Sequence, residues 1–239
     1  MDSRGMFGER AHLYDAIYAD KDYAAETATL VELLRSEGID AGASVIEAAC
    51  GTGRYLEQLR DTYTVSGFDI SPPLLDIARA RLPDVDLWVE DMRTFSVAQP
   101  ADALLCLFSS IGYLDAAGLE QAIGRFFEAV RPGGVIVVEP WCSPADVQRG
   151  LAIMHTIDQD ALKAARSAVV QVFGRKTRLD FFWTVAVAHQ GVETFVERHE
   201  LYMFDQDELQ RMFSSAGLKA RFEAFGLTGR GVWVVRKSD

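Results

Sequence analysis

From Tyr23 to Glu37, the apolar positions Ala24, Ala28, Val31 and Leu34 recur at helical spacing, and Gly38 is placed to end that helix. Ser44 to Ala48 is a short apolar run that leads directly into Cys50-Gly51-Thr52-Gly53 and then into a helical stretch from Arg54 to Arg60. The order is strand, glycine turn, helix, and it repeats. Thr64 to Phe68 reads as a second strand ended by Asp69, and Ser71 is the natural cap of a helix opening Pro72-Pro73-Leu74-Leu75. Val85 to Val89 predicts a third strand, ending at Glu90-Asp91-Met92, and Asp102 to Phe108 a buried fourth. An amphipathic helix follows over Leu119 to Val130, then a turn at Arg131-Pro132-Gly133-Gly134 into the apolar run Val135 to Val138. Alternating elements of this length predict an α/β fold: a doubly wound, mostly parallel sheet with helices on both faces.

After Trp141 the pattern changes. Ala168 to Phe173, Leu179 to Ala188 and Glu193 to Phe204 predict three successive strands with no helix between them, hence an antiparallel insert. Asp205 is placed to cap a helix running through Ala216-Gly217, and two strands, Lys219 to Phe225 and Gly231 to Arg236, close the chain. Across the 239 residues, 49% hydrophobic and 25% charged, no Pro/Gly/Ser-rich linker or charge run divides the chain. One domain over residues 1–239 is expected, with residues 165–204 as its strand-rich insert.

Net charge narrows the partners. At −11 the chain repels nucleic-acid phosphates and anionic lipid headgroups, so neither nucleic acid nor a membrane surface is an expected partner. The three cysteines, Cys50, Cys106 and Cys142, lie far apart without C-x-x-C or Cys/His spacing, so no metal site is expected. The start MDSRGMFGER has no apolar leader core, and no segment approaches the roughly 18 apolar residues of a membrane span. A cytoplasmic location with reduced thiols is the expectation.

Ligands of open α/β sheets bind beyond the carboxyl ends of the strands, which directs attention to the residues there. At Glu47-Ala48-Ala49-Cys50-Gly51-Thr52-Gly53, the glycines let the backbone bend sharply and approach a ligand without a Cβ in the way. The turn lacks both the Lys-Ser/Thr of a P-loop and the full G-x-G-x-x-G of a dinucleotide fingerprint, which disfavours a pyrophosphate. Asp69 stands where a carboxylate accepts hydrogen bonds from ribose hydroxyls, and Asp91 could accept from an adenine amine while Met92 covers the ring. Each aspartate alone could be a helix cap; together, in order, they point to a nucleoside. An acidic Glu47 beneath a turn with no phosphate cradle suits a ligand carrying an ammonium and a sulfonium, namely S-adenosylmethionine.

On these residues the chain resembles the class I methyltransferases over residues 23–140, with Ala49 where many members have glycine. The resemblance implies a Rossmann-like, seven-stranded sheet. It also implies cofactor contacts from Tyr14, Tyr23, Glu47, Ala49, Cys50, Gly51, Asp69, Ile70, Asp91, Met92, Leu107 and Phe108. A narrower likeness is carried by Lys21-Asp22-Tyr23, Phe108-Ser109-Ser110-Ile111-Gly112-Tyr113-Leu114, Glu139-Pro140-Trp141 and Gly229-Arg230-Gly231. These segments resemble the sugar-nucleotide N,N-dimethyltransferases of macrolide antibiotic pathways, the desosamine and mycaminose type. Trp141-Cys142 departs from that group's paired tryptophans, and the stretch from Val147 to Ala165 is unlike it.

That likeness implies a homodimer, an insert that helps to shape the acceptor site, and an amine acceptor such as a sugar nucleotide. Ser109, Ser110, Glu139, Trp141, Arg178, Arg198 and Arg230 are the expected acceptor contacts, the arginines because a diphosphate needs cationic partners. Methyl transfer is an in-line displacement that needs chiefly positioning of an uncharged amine. Tyr14 and Tyr113 are the expected catalytic residues, orienting the amine or lining the sulfonium, with Tyr18 and Tyr23 in the same amino-terminal segment. His199 could face the acceptor, while His155 and His189 read as structural or solvated. Three alternatives stay open: a methyltransferase for another small acceptor, a nicotinamide-dependent oxidoreductase, and a non-catalytic nucleoside-binding protein.

Overall fold

The computed structural model describes residues 5–238. A short helix α1 (His12–Ile17) and helix α2 (Tyr23–Ser36) precede the first sheet strand. The wound portion then runs β1 (Ser44–Ala48), α3 (Arg54–Leu59), β2 (Thr64–Asp69), α4 (Pro72–Arg81), β3 (Asp86–Val89), β4 (Ala101–Cys106), α5 (Ala116–Ala129) and β5 (Val130–Val138). Four strands are paired on β9 or its neighbours in a separate sheet: β6 (Ala152–Asp158), β7 (Leu162–Val169), β9 (Lys176–Val187) and β10 (Gly191–Tyr202), with β8 (Gln171–Phe173) pairing on β9. Helix α6 (Gln206–Ser215), β11 (Leu218–Glu223) and β12 (Val232–Lys237) return the chain to the first sheet.

That first sheet has seven strands in the order β11-β12-β5-β4-β1-β2-β3. β1 pairs in parallel with β2 on one side and β4 on the other, so winding reverses at β1 and opens a crevice beyond its carboxyl end. Both faces are covered. Ile46, Phe68, Leu104 and Ile136 pack against Ile123 and Phe126 of α5 and Phe213 of α6. Their neighbours in sequence, Val45, Ala103, Leu105 and Val137, pack against Leu30, Leu34, Leu56 and Leu75 of α2 to α4. Burial on both faces is why these strands read as apolar runs rather than as alternating patterns. The expected caps hold: the Ser71 side chain accepts from the Leu74 N–H and that of Asp205 from the Glu208 N–H.

Several boundaries differ from the sequence reading. Helix α5 starts at Ala116, ahead of Leu119, because Asp115 caps it by accepting the Gly118 N–H. The expected turn at Arg131 to Gly134 lies inside β5, opposite a register irregularity between Ala101 and Ala103. Strand β4 stops at Cys106, and Phe108 and Ser109 take left-handed backbone angles (φ 50° and 66°) before a 3-10 turn over Ser110–Tyr113. The antiparallel insert begins at Ala152 rather than at residue 165, and the run Ala168 to Phe173 is split between β7 and β8. The early strands escaped detection because His155 and Arg166, paired across β6 and β7, occupy positions where alternation calls for apolar residues. Among the described residues no helix is long and apolar enough to cross a membrane.

Candidate active site

A cavity of about 1120 Å³ opens between the carboxyl ends of β1, β2 and β4 and the inner face of the antiparallel sheet. On the glycine-turn side, its wall includes Ala49, Gly51, Asp69 and Ile70. Gly51 has φ +55°, and a Cβ built there would meet nothing within 4 Å, so the residue opens space instead of relieving a packing clash. Ala49 has φ +57°, the conformation that explains why glycine is common at this position in the resembling family. Asp69 fixes the turn: Oδ2 accepts the Gly51 N–H (2.9 Å) and Oδ1 the Ser71 N–H (2.8 Å). Burial raises its pKa, and the hydrogen bonds from Ser71, Gly51 and Ile70 oppose that shift.

Two polar atoms flank the turn without a hydrogen-bond partner among the described residues, Glu47 Oε2 and Arg54 Nε. Burial, reinforced by the Asp69 charge, holds the Glu47 carboxyl well above its ordinary pKa. Neither Glu47 nor Arg54 lines the cavity; Gly51 and Asp69 do, the glycine leaving open space and Asp69 keeping lone pairs for ribose hydroxyls. The residues therefore suit S-adenosylmethionine. Asp91 and Met92 also reach the wall, but Arg93 occupies much of the Asp91 carboxylate through its backbone N–H (2.9 Å) and its guanidinium, and holds its pKa down.

The amino-terminal segment closes the cavity. The Thr52 hydroxyl donates to Asp15 of α1 (2.6 Å), Arg81 bridges Asp15 and the Thr52 carbonyl, and the Ser71 hydroxyl donates to the Phe7 carbonyl (2.7 Å). Phe7, Tyr14 and Tyr18 thereby join Tyr113 and Phe108 on the wall. Their rings interlock: Tyr14 and Tyr18 lie 5.1 Å apart between centroids, Tyr18 and Phe108 5.1 Å, and Phe7 and Tyr113 5.7 Å. Burial pushes the pKa of Tyr14 and of Tyr113 well up, so both phenols stay protonated and act as hydrogen-bonding groups, not as phenolate bases.

On the far side, Ser109, Ser110, Trp141 and Arg230 reach the wall. The Arg230 guanidinium lies 5.1 Å from the Trp141 ring and 5.7 Å from the Phe108 ring, and donates to the Ser109 hydroxyl (3.1 Å). Other expected residues stand elsewhere. Tyr23 packs edge-on against Tyr55, and Cys50 and Leu107 are core residues under the sheet. Glu139 is fully buried, accepting the Phe108 N–H (2.7 Å) and the Thr228 hydroxyl, so it braces the loop after β4 instead of meeting a ligand. Arg178 is off the wall, whereas Arg198 lines it; both bind Asp180, at 2.8 Å and 2.7 Å. Sequence reasoning missed Met6, Phe7, Arg166 and Glu197, which no motif or spacing marks, and read His155 as structural although it too reaches the wall.

A doubly wound sheet with a phosphate-free nucleoside crevice at its switch point defines a class, the S-adenosylmethionine-dependent methyltransferases. The comparisons agree. Residues 45–134 match the family model described as a methyltransferase domain. A dTDP-3-amino-3,6-dideoxy-alpha-D-glucopyranose N,N-dimethyltransferase of Streptomyces fradiae is 38% identical over 95% of this chain and 90% of its own. The crystal structure of Streptomyces venezuelae DesVI superposes with a TM-score of 0.90 at 35% identity, covering 97% of this chain and 99% of its own. S-adenosylmethionine-bound CalS10, an amino pentose methyltransferase of Micromonospora echinaspora, gives a TM-score of 0.86 at 32% identity, covering 95% and 97%. The chain belongs to the sugar N,N-dimethyltransferase family of these enzymes, and its cofactor is S-adenosylmethionine.

Proposed function

We propose that the chain methylates the amino group of a thymidine-diphosphate-linked amino-deoxysugar, twice. The reading is carried by likeness over nearly the whole chain, antiparallel sheet included, to an enzyme named for that reaction. Arg230, held over Trp141 and Phe108, gives the acceptor side a cation for a diphosphate in a protein that is otherwise strongly acidic. The cofactor supplies an activated methyl group to the amine lone pair. The protein's own part is placement: Asp69 and the glycine turn hold the nucleoside, Arg230 the acceptor's anionic end, and the interlocked Tyr14, Tyr18 and Tyr113 exclude water and orient the amine. Calorimetry with S-adenosylmethionine, then mass spectrometry of 3-amino- and 4-amino-deoxysugar nucleotides, amino acids and simple amines, tests this. Methylation confined to acceptors without a sugar nucleotide would reject it.

The same reading extends to a homodimer through the antiparallel sheet. Its outer face carries Met154 and Phe182, 71% and 62% exposed, in one cross-strand row with Ser167 and Val196. Phe182→Glu is expected to convert the dimer to a monomer in sedimentation equilibrium; an unchanged mass would reject this interface.

A further inference from the structure

Opposite the glycine turn, Tyr113 is joined to a buried polar pair on the antiparallel sheet, His199 and Glu197, that the placement described above does not employ. The Tyr113 hydroxyl lies 2.8 Å from His199 Nδ1, and His199 Nε2 lies 3.4 Å from Glu197 Oε1. Glu197 is 3% and His199 6% exposed. The same Glu197 oxygen accepts the Met6 N–H (2.6 Å), which fixes the carboxylate, while Glu197 Oε2 and His199 Nε2 have no hydrogen-bond partner among the described residues. Leaving such groups buried and unsatisfied costs stability, and their inward-facing neighbours on the sheet, Leu179, Phe181 and Leu201, show that apolar side chains fill this wall elsewhere. All three residues line the cavity, so the arrangement faces a ligand.

We propose that Tyr113, His199 and Glu197 form a proton relay that deprotonates the acceptor nitrogen between the two methyl transfers. This rests on the amino-sugar dimethylation reading given above. The first transfer leaves a secondary ammonium, which has no lone pair and cannot accept a second methyl group until an N–H proton departs. That proton passes to the Tyr113 oxygen as the Tyr113 O–H proton passes to His199 Nδ1. The N–H bond and the original O–H bond break while a new O–H and a new Nδ1–H form. The products are a neutral secondary amine, an unchanged phenol and an imidazolium whose Nε2–H faces the Glu197 carboxylate. The charged groups acting on Tyr113 are Glu197 from β10 and Arg166 from β7; Tyr18 and Tyr14 also face it, and His155 Nδ1 lies 3.3 Å from the Arg166 Nε. His199 and Glu197 act through Tyr113 and are positioning and relay residues, not contacts of the reacting carbon.

His199→Gln keeps a polar partner for the Tyr113 hydroxyl but cannot bind the proton. It should slow the second methylation at least about 100-fold more than the first, so that monomethylated product accumulates. The deficit should shrink as pH rises and solution deprotonates the intermediate. Glu197→Gln should shift the product ratio the same way by less. Should His199→Gln fail to bind S-adenosylmethionine in calorimetry, Tyr113→Phe tests the same link and should also accumulate the monomethylated product. A folded His199→Gln or Tyr113→Phe enzyme with the wild-type product ratio at every pH overturns the relay alone. A wild-type enzyme that leaves amino-sugar nucleotides unmethylated overturns the substrate reading, and the relay with it.

Discussion

The two walls of the cavity are built on different principles. The glycine-turn wall is local: Glu47 to Arg54 and Asp69 to Ser71 form two strand-to-helix turns joined by Asp69 to the Gly51 amide. The opposite wall is assembled at long range: Arg230 sits beside Ser109, 121 positions earlier, and His199 beside Tyr113, 86 positions earlier. A backbone-built site tolerates almost no change at its glycines, whereas a side-chain-built site can be altered one residue at a time and so tuned for an acceptor.

That contrast can be broken or sharpened by substitution. Gly51→Val should have the largest effect, because a β-branched side chain would both resist φ +55° and fill the space reserved for the ligand. Calorimetry should show S-adenosylmethionine affinity lost by more than about 100-fold, at least about 2.7 kcal/mol; retained binding would break the assignment of this wall. Arg230→Met should come next, raising the acceptor KM about tenfold or more with cofactor affinity unchanged. A matching loss of cofactor binding would show that the two walls are not separable.

Glu47, in β1 beneath the glycine turn, predicts a pH effect on cofactor binding. Burial and the Asp69 charge raise its folded-state pKa, so it is neutralised as pH falls through that elevated value. Affinity for S-adenosylmethionine should therefore weaken as pH falls through that value, and Glu47→Gln should lose this pH dependence. Arg178→Ala should be the smallest change, within about twofold in any kinetic constant, because its guanidinium is committed to Asp180 and stands off the cavity wall. A large rise in acceptor KM would return Arg178 to the site.

What could be read in advance follows the same division. The apolar runs of β1 and β4, the glycine turn, Asp69 and the caps at Ser71 and Asp205 are short-range patterns whose physics is complete within a few residues, and they determined the sheet, its switch point and the cofactor. Glu139 and Tyr23 belong to segments that carry the family likeness and Arg178 was expected as a cation for a diphosphate, yet whether each side chain meets the cavity or a buried partner depends on neighbours distant in sequence. His155 and Arg166 had the opposite effect, disguising the strands that hold them by putting polar groups where alternation requires apolar ones. The acceptor wall and its Tyr113–His199–Glu197 chain were decided only by the tertiary structure, because pairing β10 against β9 and folding that sheet over the crevice brings together groups that no local spacing relates.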